Sequence, residues 1–137
     1  WKEMDPTGKW RFTSPTHIVA AFSQAIDELL AEGGIEARLA RYENNNRILR
    51  QKLQAMGIQP YITAEKQSPI ITTFLFPNES FNFSEFYHFV KEKGYVIYPG
   101  KLTDVDTFRI GNIGEIYEED IHELCNIIEQ YMGVLTK

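Results

Sequence analysis

The sequence holds a single cysteine, Cys125, among 137 residues. No internal disulfide can therefore support the fold, and a lone thiol on an apolar helix face reads as a small buried hydrophobe. No apolar run approaches the ~18 residues of a bilayer span, and no charged segment followed by an apolar stretch marks a signal peptide. The expected compartment is the cytoplasm, with no membrane partner. Fourteen Lys and Arg stand against 19 Asp and Glu, a formal charge of −5. The basic residues are dispersed, which argues against nucleic acid as a partner, since phosphate backbones draw on clustered cations. His88 and His122 fall on different elements without metal-ligand spacing, so no metal is expected. Neither GxxxxGK[ST] nor GxGxxG occurs.

What is present suits a folded chain. Hydrophobic residues make up 43% and charged residues 24%, far from the composition of disordered segments. The length fits one domain, residues 1–137. Trp1-Lys2-Glu3-Met4-Asp5-Pro6 does not read as a natural start, so a piece of a longer protein is expected.

Ser14-Pro15 predicts a helix start, with Ser14 as N-cap and proline in the first helical position. Ile18, Val19, Phe22, Ile26, Leu29 and Leu30 then recur at helical spacing up to Gly33-Gly34. A second helix is expected from about Ile35 to Met56. Its stripe is Ile35, Leu39, Tyr42, Asn46, Leu49, Leu53 and Met56, with Arg38, Arg41, Glu43, Arg47, Arg50 and Lys52 mainly off it. Tyr61–Thr63 and Ile70–Phe76 are β-branched and aromatic, and read as strands. Ser84 is the expected cap of a third helix running to Lys93 and closed by Gly94. Tyr95–Tyr98 and Thr107–Ile110 read as two more strands, and Tyr117–Leu135 as a closing helix carrying Ile121, Leu124, Cys125, Ile127, Ile128 and Tyr131. The order ααββαββα implies an α+β domain, with helices on one face of a small, largely antiparallel sheet.

The most informative stretch is Asp106-Thr107-Phe108-Arg109-Ile110-Gly111-Asn112-Ile113-Gly114. An arginine inside a short apolar strand, followed by glycines that let backbone approach a ligand, calls for an anion. The planar fork suits a carboxylate or phosphonate, and a structural partner such as Asp106 is the alternative. Trp10-Arg11-Phe12-Thr13-Ser14-Pro15-Thr16-His17 sets hydroxyls and a base at a helix N-terminus, a place that attracts phosphate, though capping alone explains Ser14. Tyr98-Pro99-Gly100-Lys101 ends a strand in a tight turn. Lys101 invites a Schiff-base reading, but a turn lysine is ordinarily solvated. Glu115, Glu118, Glu119 and Asp120 at the start of the last helix complement its dipole.

Three motifs in order carry a resemblance: Lys9–His17, then Gln67-Ser68-Pro69-Ile70-Ile71-Thr72, then Tyr98-Pro99-Gly100-Lys101 with Phe108–Gly114. Together they make the chain resemble the C-terminal part of the 2-aminoethylphosphonate:pyruvate aminotransferases, class V members of the fold type I pyridoxal-phosphate enzymes. The resemblance implies a C-terminal small domain with residues 1–14 as the linker from a missing large domain, and a full-length homodimer that uses pyridoxal 5'-phosphate. It implies transfer of the amino group of 2-aminoethylphosphonate to pyruvate, giving phosphonoacetaldehyde and alanine. Arg109 matches the substrate-binding arginine. Thr13 matches the hydroxyl that reaches the cofactor phosphate of the other subunit, with Trp10 and Arg11 nearby. Gln67 and Gly100 lie in motifs that approach the site.

The Schiff-base lysine, the acid facing the pyridine nitrogen and the stacking aromatic all belong, in that family, to the preceding domain. No lysine here matches, and Lys101 sits in the wrong motif. No catalytic residue is therefore expected in this chain, which alone should not transaminate. Two other readings stand beside this one: a related class V enzyme using alanine or serine with glyoxylate or pyruvate, and a free-standing module that binds a small anion. The fragment reading predicts an apolar surface left bare near the first helix and the opening segment.

Overall fold

A computed structural model describes residues 4–100 and 104–135. The chain divides into two compact units, Trp1–Arg38 and Leu39–Lys137.

The first unit contains helix α1 (Thr16–Ala31) and the opening turn of α2 (Gly34–Ala55). The predicted N-cap is displaced by one residue. Pro15, not Ser14, occupies that position, and no side chain caps the helix, because the Ser14 hydroxyl lies 3.2 Å from that of Thr16. The first N–H groups of α1 are consequently without side-chain acceptors. Gly33, at φ +107, makes the break between the helices, a conformation that strains any residue with a Cβ. The expected amphipathic pattern of α1 is present, but none of its residues is buried, and Phe22 is 66% exposed. Ile18, Val19, Ile26 and Leu30 share this exposure, as do Phe12 and Trp10 before the helix and Ile35 after it. This is the bare apolar surface that the fragment reading predicts.

The second unit has a core of its own. Strands β1 (Ile71–Leu75), β2 (Tyr98–Pro99) and β3 (Thr107–Gly111) form an antiparallel sheet in the order β1-β3-β2. The rest of α2, α3 (Phe83–Glu92) and α4 (Glu118–Leu135) supply the apolar side chains that pack with it. Phe74 of β1 and Phe108 of β3 stack at 5.6 Å, and Phe86 of α3 meets Phe108 edge-on at 5.3 Å. Leu49 and Leu53 from α2 and Ile121, Cys125 and Ile128 from α4 close this core. Full burial of each such side chain contributes about 1.5–3 kcal/mol. The predicted α+β architecture is therefore the observed one.

Several local expectations shift. Tyr61–Thr63 is not a strand. Pro60 bridges to Phe74 and the Tyr61 N–H donates to the Thr73 carbonyl, but proline offers no N–H to extend the ladder, and the chain turns into a 3-10 helix at Ala64–Lys66. The sheet thus has one strand fewer than predicted. Strand β2 keeps only the last residue of the expected Tyr95–Tyr98 run and adds Pro99. Asn82, not Ser84, caps α3, its Oδ1 accepting from the N–H groups of Ser84 and Glu85. The acidic start of α4 has the expected capping role, since Asp120 accepts from the Tyr117 N–H at 2.8 Å. The α2 stripe runs as predicted through buried Asn46, Leu49 and Leu53, with Ile48 also buried, while Ile35 and Leu39 at its start are exposed.

Among the described residues no helix is long and apolar enough to cross a membrane. No group of three or more His, Cys, Asp and Glu among them could hold a metal ion.

Cys125 is fully enclosed, and burial pushes its thiol up to about 11. The folded chain should therefore react with a disulfide reagent at pH 8 only as fast as it opens, and at once in urea. The sign follows: below the unfolded thiol value both states hold the proton, and as pH rises the unfolded chain releases it first, so this group's contribution declines towards pH 11. Rapid labelling of folded protein at pH 8 would contradict the burial.

Candidate functional site

Strand β3 is central, and alternation along it separates core from site. Phe108 and Ile110 point into the core, and Arg109 points to the opposite face. On that face the register sets Arg109 directly across from Thr73 of β1 and Tyr98 of β2. Arg109 is half-buried, and Tyr98 is 58% exposed while its neighbour Ile97 is 3% exposed. The structural ion pair with Asp106 is not made. Nε and Nη2 of Arg109 contact the Pro99 carbonyl at 3.4 and 3.3 Å, and no carboxylate among the described residues approaches the guanidinium. These long contacts orient the group while leaving its outer N–H fork free for an anion.

The chain after β3 is fixed by buried amides and an arginine. Asn112, fully buried, donates from Nδ2 to the carbonyls of Pro69 at 2.7 Å and Tyr42 at 3.2 Å, and its own N–H bonds Ile70. Asn45 donates to the Ile116 carbonyl. Arg41, which the helical pattern sets mainly off the apolar stripe, donates to the carbonyls of Gly114 and Ile116. Its guanidinium also sits 5.0 and 4.9 Å from the rings of Tyr42 and Tyr117. The Gly114 N–H donates to the Tyr42 hydroxyl. Pairing across about 70 positions leaves no mark on local spacing, so the roles of Asn112 and Arg41 emerge only in the folded chain, as does the place of Tyr98 opposite Arg109.

Gly100 follows β2, with its N–H bonded to the Thr107 carbonyl at 2.8 Å. A Cβ there would lie 1.8 Å from Thr107 Oγ1 and 2.5 Å from the Thr107 carbonyl oxygen. Only glycine allows this approach. Gln67 donates from Nε2 to the carbonyls of Ser68 and Ile71 at 2.7 and 2.6 Å. It lines a cavity of about 410 Å³ with Arg47, Arg50, Gln51 and Gln54, a set that does not include Arg109. Lys101 lies outside the described residues.

Trp10, Arg11 and Thr13 belong to the first unit, ahead of the uncapped start of α1. All three are exposed, and the Arg11 guanidinium lies over the Phe12 ring at 5.4 Å. Arg109 belongs to the second unit. A free hydroxyl at Thr13, a base at Arg11 and open helix N–H groups suit a phosphate.

The fold is shared with part of several aminotransferases. The pyridoxamine-pyruvate aminotransferase of Mesorhizobium loti superposes with a TM-score of 0.82 at 20% identity, over 94% of this chain and 33% of that one. The alanine–glyoxylate aminotransferase of a Nostoc species does so with a TM-score of 0.77 at 19% identity, over 93% and 36%. Among sequences the likeness is far stronger. A 2-aminoethylphosphonate–pyruvate transaminase of Lysinibacillus sphaericus is 61% identical over 98% of this chain, and one of Phocaeicola vulgatus is 55% identical over 94%. A bifunctional phosphonoacetaldehyde hydrolase/aminoethylphosphonate transaminase of Clostridioides difficile is 52% identical over 97%. This chain is homologous along nearly its whole length to part of these transaminases. It spans 37%, 36% and 21% of their respective lengths. No protein-family model matches it.

The Gly100 approach gives a direct test. Gly100→Ala should displace β2 from β3 and lower stability by about 1–3 kcal/mol, read as a shift of the urea midpoint. An unchanged midpoint would show that the Thr107 backbone yields freely.

Proposed function

We propose that this chain is the C-terminal small domain of a pyridoxal-phosphate-dependent aminotransferase, with residues 1–14 as the linker from a preceding large domain. The full enzyme transfers the amino group of 2-aminoethylphosphonate to pyruvate and yields phosphonoacetaldehyde and alanine. The observation that carries this reading is Arg109: a guanidinium with no carboxylate partner among the described residues, held on an open sheet face. It lies in a chain 61% identical to a transaminase named for a phosphonate and a carboxylate.

In this reading Arg109 binds the anionic end of each substrate in turn, the phosphonate of the donor and the carboxylate of pyruvate. Two parallel hydrogen bonds set the distance from anion to reacting carbon and hold that carbon in place. Pyridoxal phosphate, when bound, supplies the carbonyl that takes up the amino group between the two halves of the exchange. The Thr13 hydroxyl, Arg11 and the open N–H groups of α1 would hold its phosphate in the partner subunit of a cytoplasmic homodimer, with Trp10 beside them. The exposed apolar face of α1 is covered by the rest of that assembly, consistent with a chain spanning 37% of its relative. The lysine that carries the cofactor belongs to the large domain.

Two outcomes follow. The 137-residue chain supplied with pyridoxal phosphate, 2-aminoethylphosphonate and pyruvate should form no alanine, whereas the full-length enzyme should. In the full-length enzyme Arg109→Ala should lower kcat/KM about a hundredfold for both substrates. Transamination by the short chain, or wild-type kinetics in the Arg109 variant, would refute the assignment. Faster turnover of alanine or serine than of 2-aminoethylphosphonate would redirect it to a related donor.

A further inference from the structure

Two different anions must be served by one guanidinium in the proposed reaction, and they differ in geometry. A carboxylate is planar with two oxygens, and the arginine fork satisfies both within one plane. A phosphonate is tetrahedral with three. When two of its oxygens lie on the fork, the third stands out of the guanidinium plane and needs a donor from a neighbouring strand.

The sheet offers one. Tyr98 stands directly across from Arg109 in the β2–β3 register, so their side chains leave the same face with Cβ atoms about 5 Å apart. Its ring is exposed, and its hydroxyl has no hydrogen-bond partner among the described residues. The β2 backbone is held close to β3 by the Gly100 approach to Thr107, which fixes where the ring begins. Thr73 flanks Arg109 from the other strand, with a side chain much shorter than that of Tyr98. We infer that Tyr98 donates its phenolic O–H to the third phosphonate oxygen, and so discriminates the phosphonate substrate from the carboxylate one at the shared Arg109. This inference rests on the proposed reading of Arg109.

In a ping-pong exchange kcat/KM for each substrate reports its own half of the reaction, so the full-length enzyme carries its own control. Tyr98→Phe removes one hydroxyl and keeps the ring. The expected result is a fall of about tenfold in kcat/KM for 2-aminoethylphosphonate, with kcat/KM for pyruvate unchanged. Equal loss for both substrates, or no loss for either, would overturn the role of Tyr98. Arg109→Lys and Arg109→Ala, measured alongside, separate the two levels: both should depress both substrates. If they do and Tyr98→Phe does nothing, Tyr98 alone is refuted. If the Arg109 variants leave both substrates unchanged, the anion site itself is refuted and the Tyr98 role with it.

Discussion

The alternation of side chains along β3 is the constraint on which the rest depends. Phe108 and Ile110 are locked into the core by stacked aromatic neighbours and by α4. A slip of one residue would bury Arg109 and expose both, at a cost of several kcal/mol from the apolar groups alone. The core thus decides where the guanidinium points. The buried Asn112, bonded to carbonyls of α2 and of the segment before β1, fixes the strand lengthwise. Arg41 does the same for the following loop. Hydrophobic packing sets the direction of Arg109, and a polar network sets its position.

The two compact units stand in contrast. The second unit forms a core and an oriented arginine, while α1 buries none of its apolar side chains and exposes most of them. An amphipathic helix with an uncovered face is unusual in a self-sufficient protein, because apolar surface of this extent is ordinarily removed from water. The chain spans 37% of the length of a relative to which it is 61% identical. In the proposed reading, substrate grip lies in this chain and the chemistry lies in the preceding domain.

Much of this was legible in the sequence. The stripe of α2, the apolar face of α4, the strand around Arg109 and the bare surface near α1 all follow from periodicity and from the glycines that punctuate it. What was not legible depends on contacts distant in sequence. Ser14 has the composition of a cap, but its hydroxyl turns to Thr16. Tyr61–Thr63 has strand propensity, but Pro60 denies it a ladder. Asn112 and Tyr98 acquire meaning only when β3 is set between β1 and β2. Even the strongest motif left the Arg109 partner open between Asp106 and a ligand, since proximity along the chain does not reveal which way a carboxylate turns.

The most direct test is a crystal structure of the full-length enzyme with 2-aminoethylphosphonate bound. The phosphonate should lie on the outer fork of Arg109, on the sheet face shared with Thr73 and Tyr98. A phosphonate held elsewhere, with Arg109 paired to a carboxylate of the preceding domain, would contradict the assignment and make the arginine a structural link between domains.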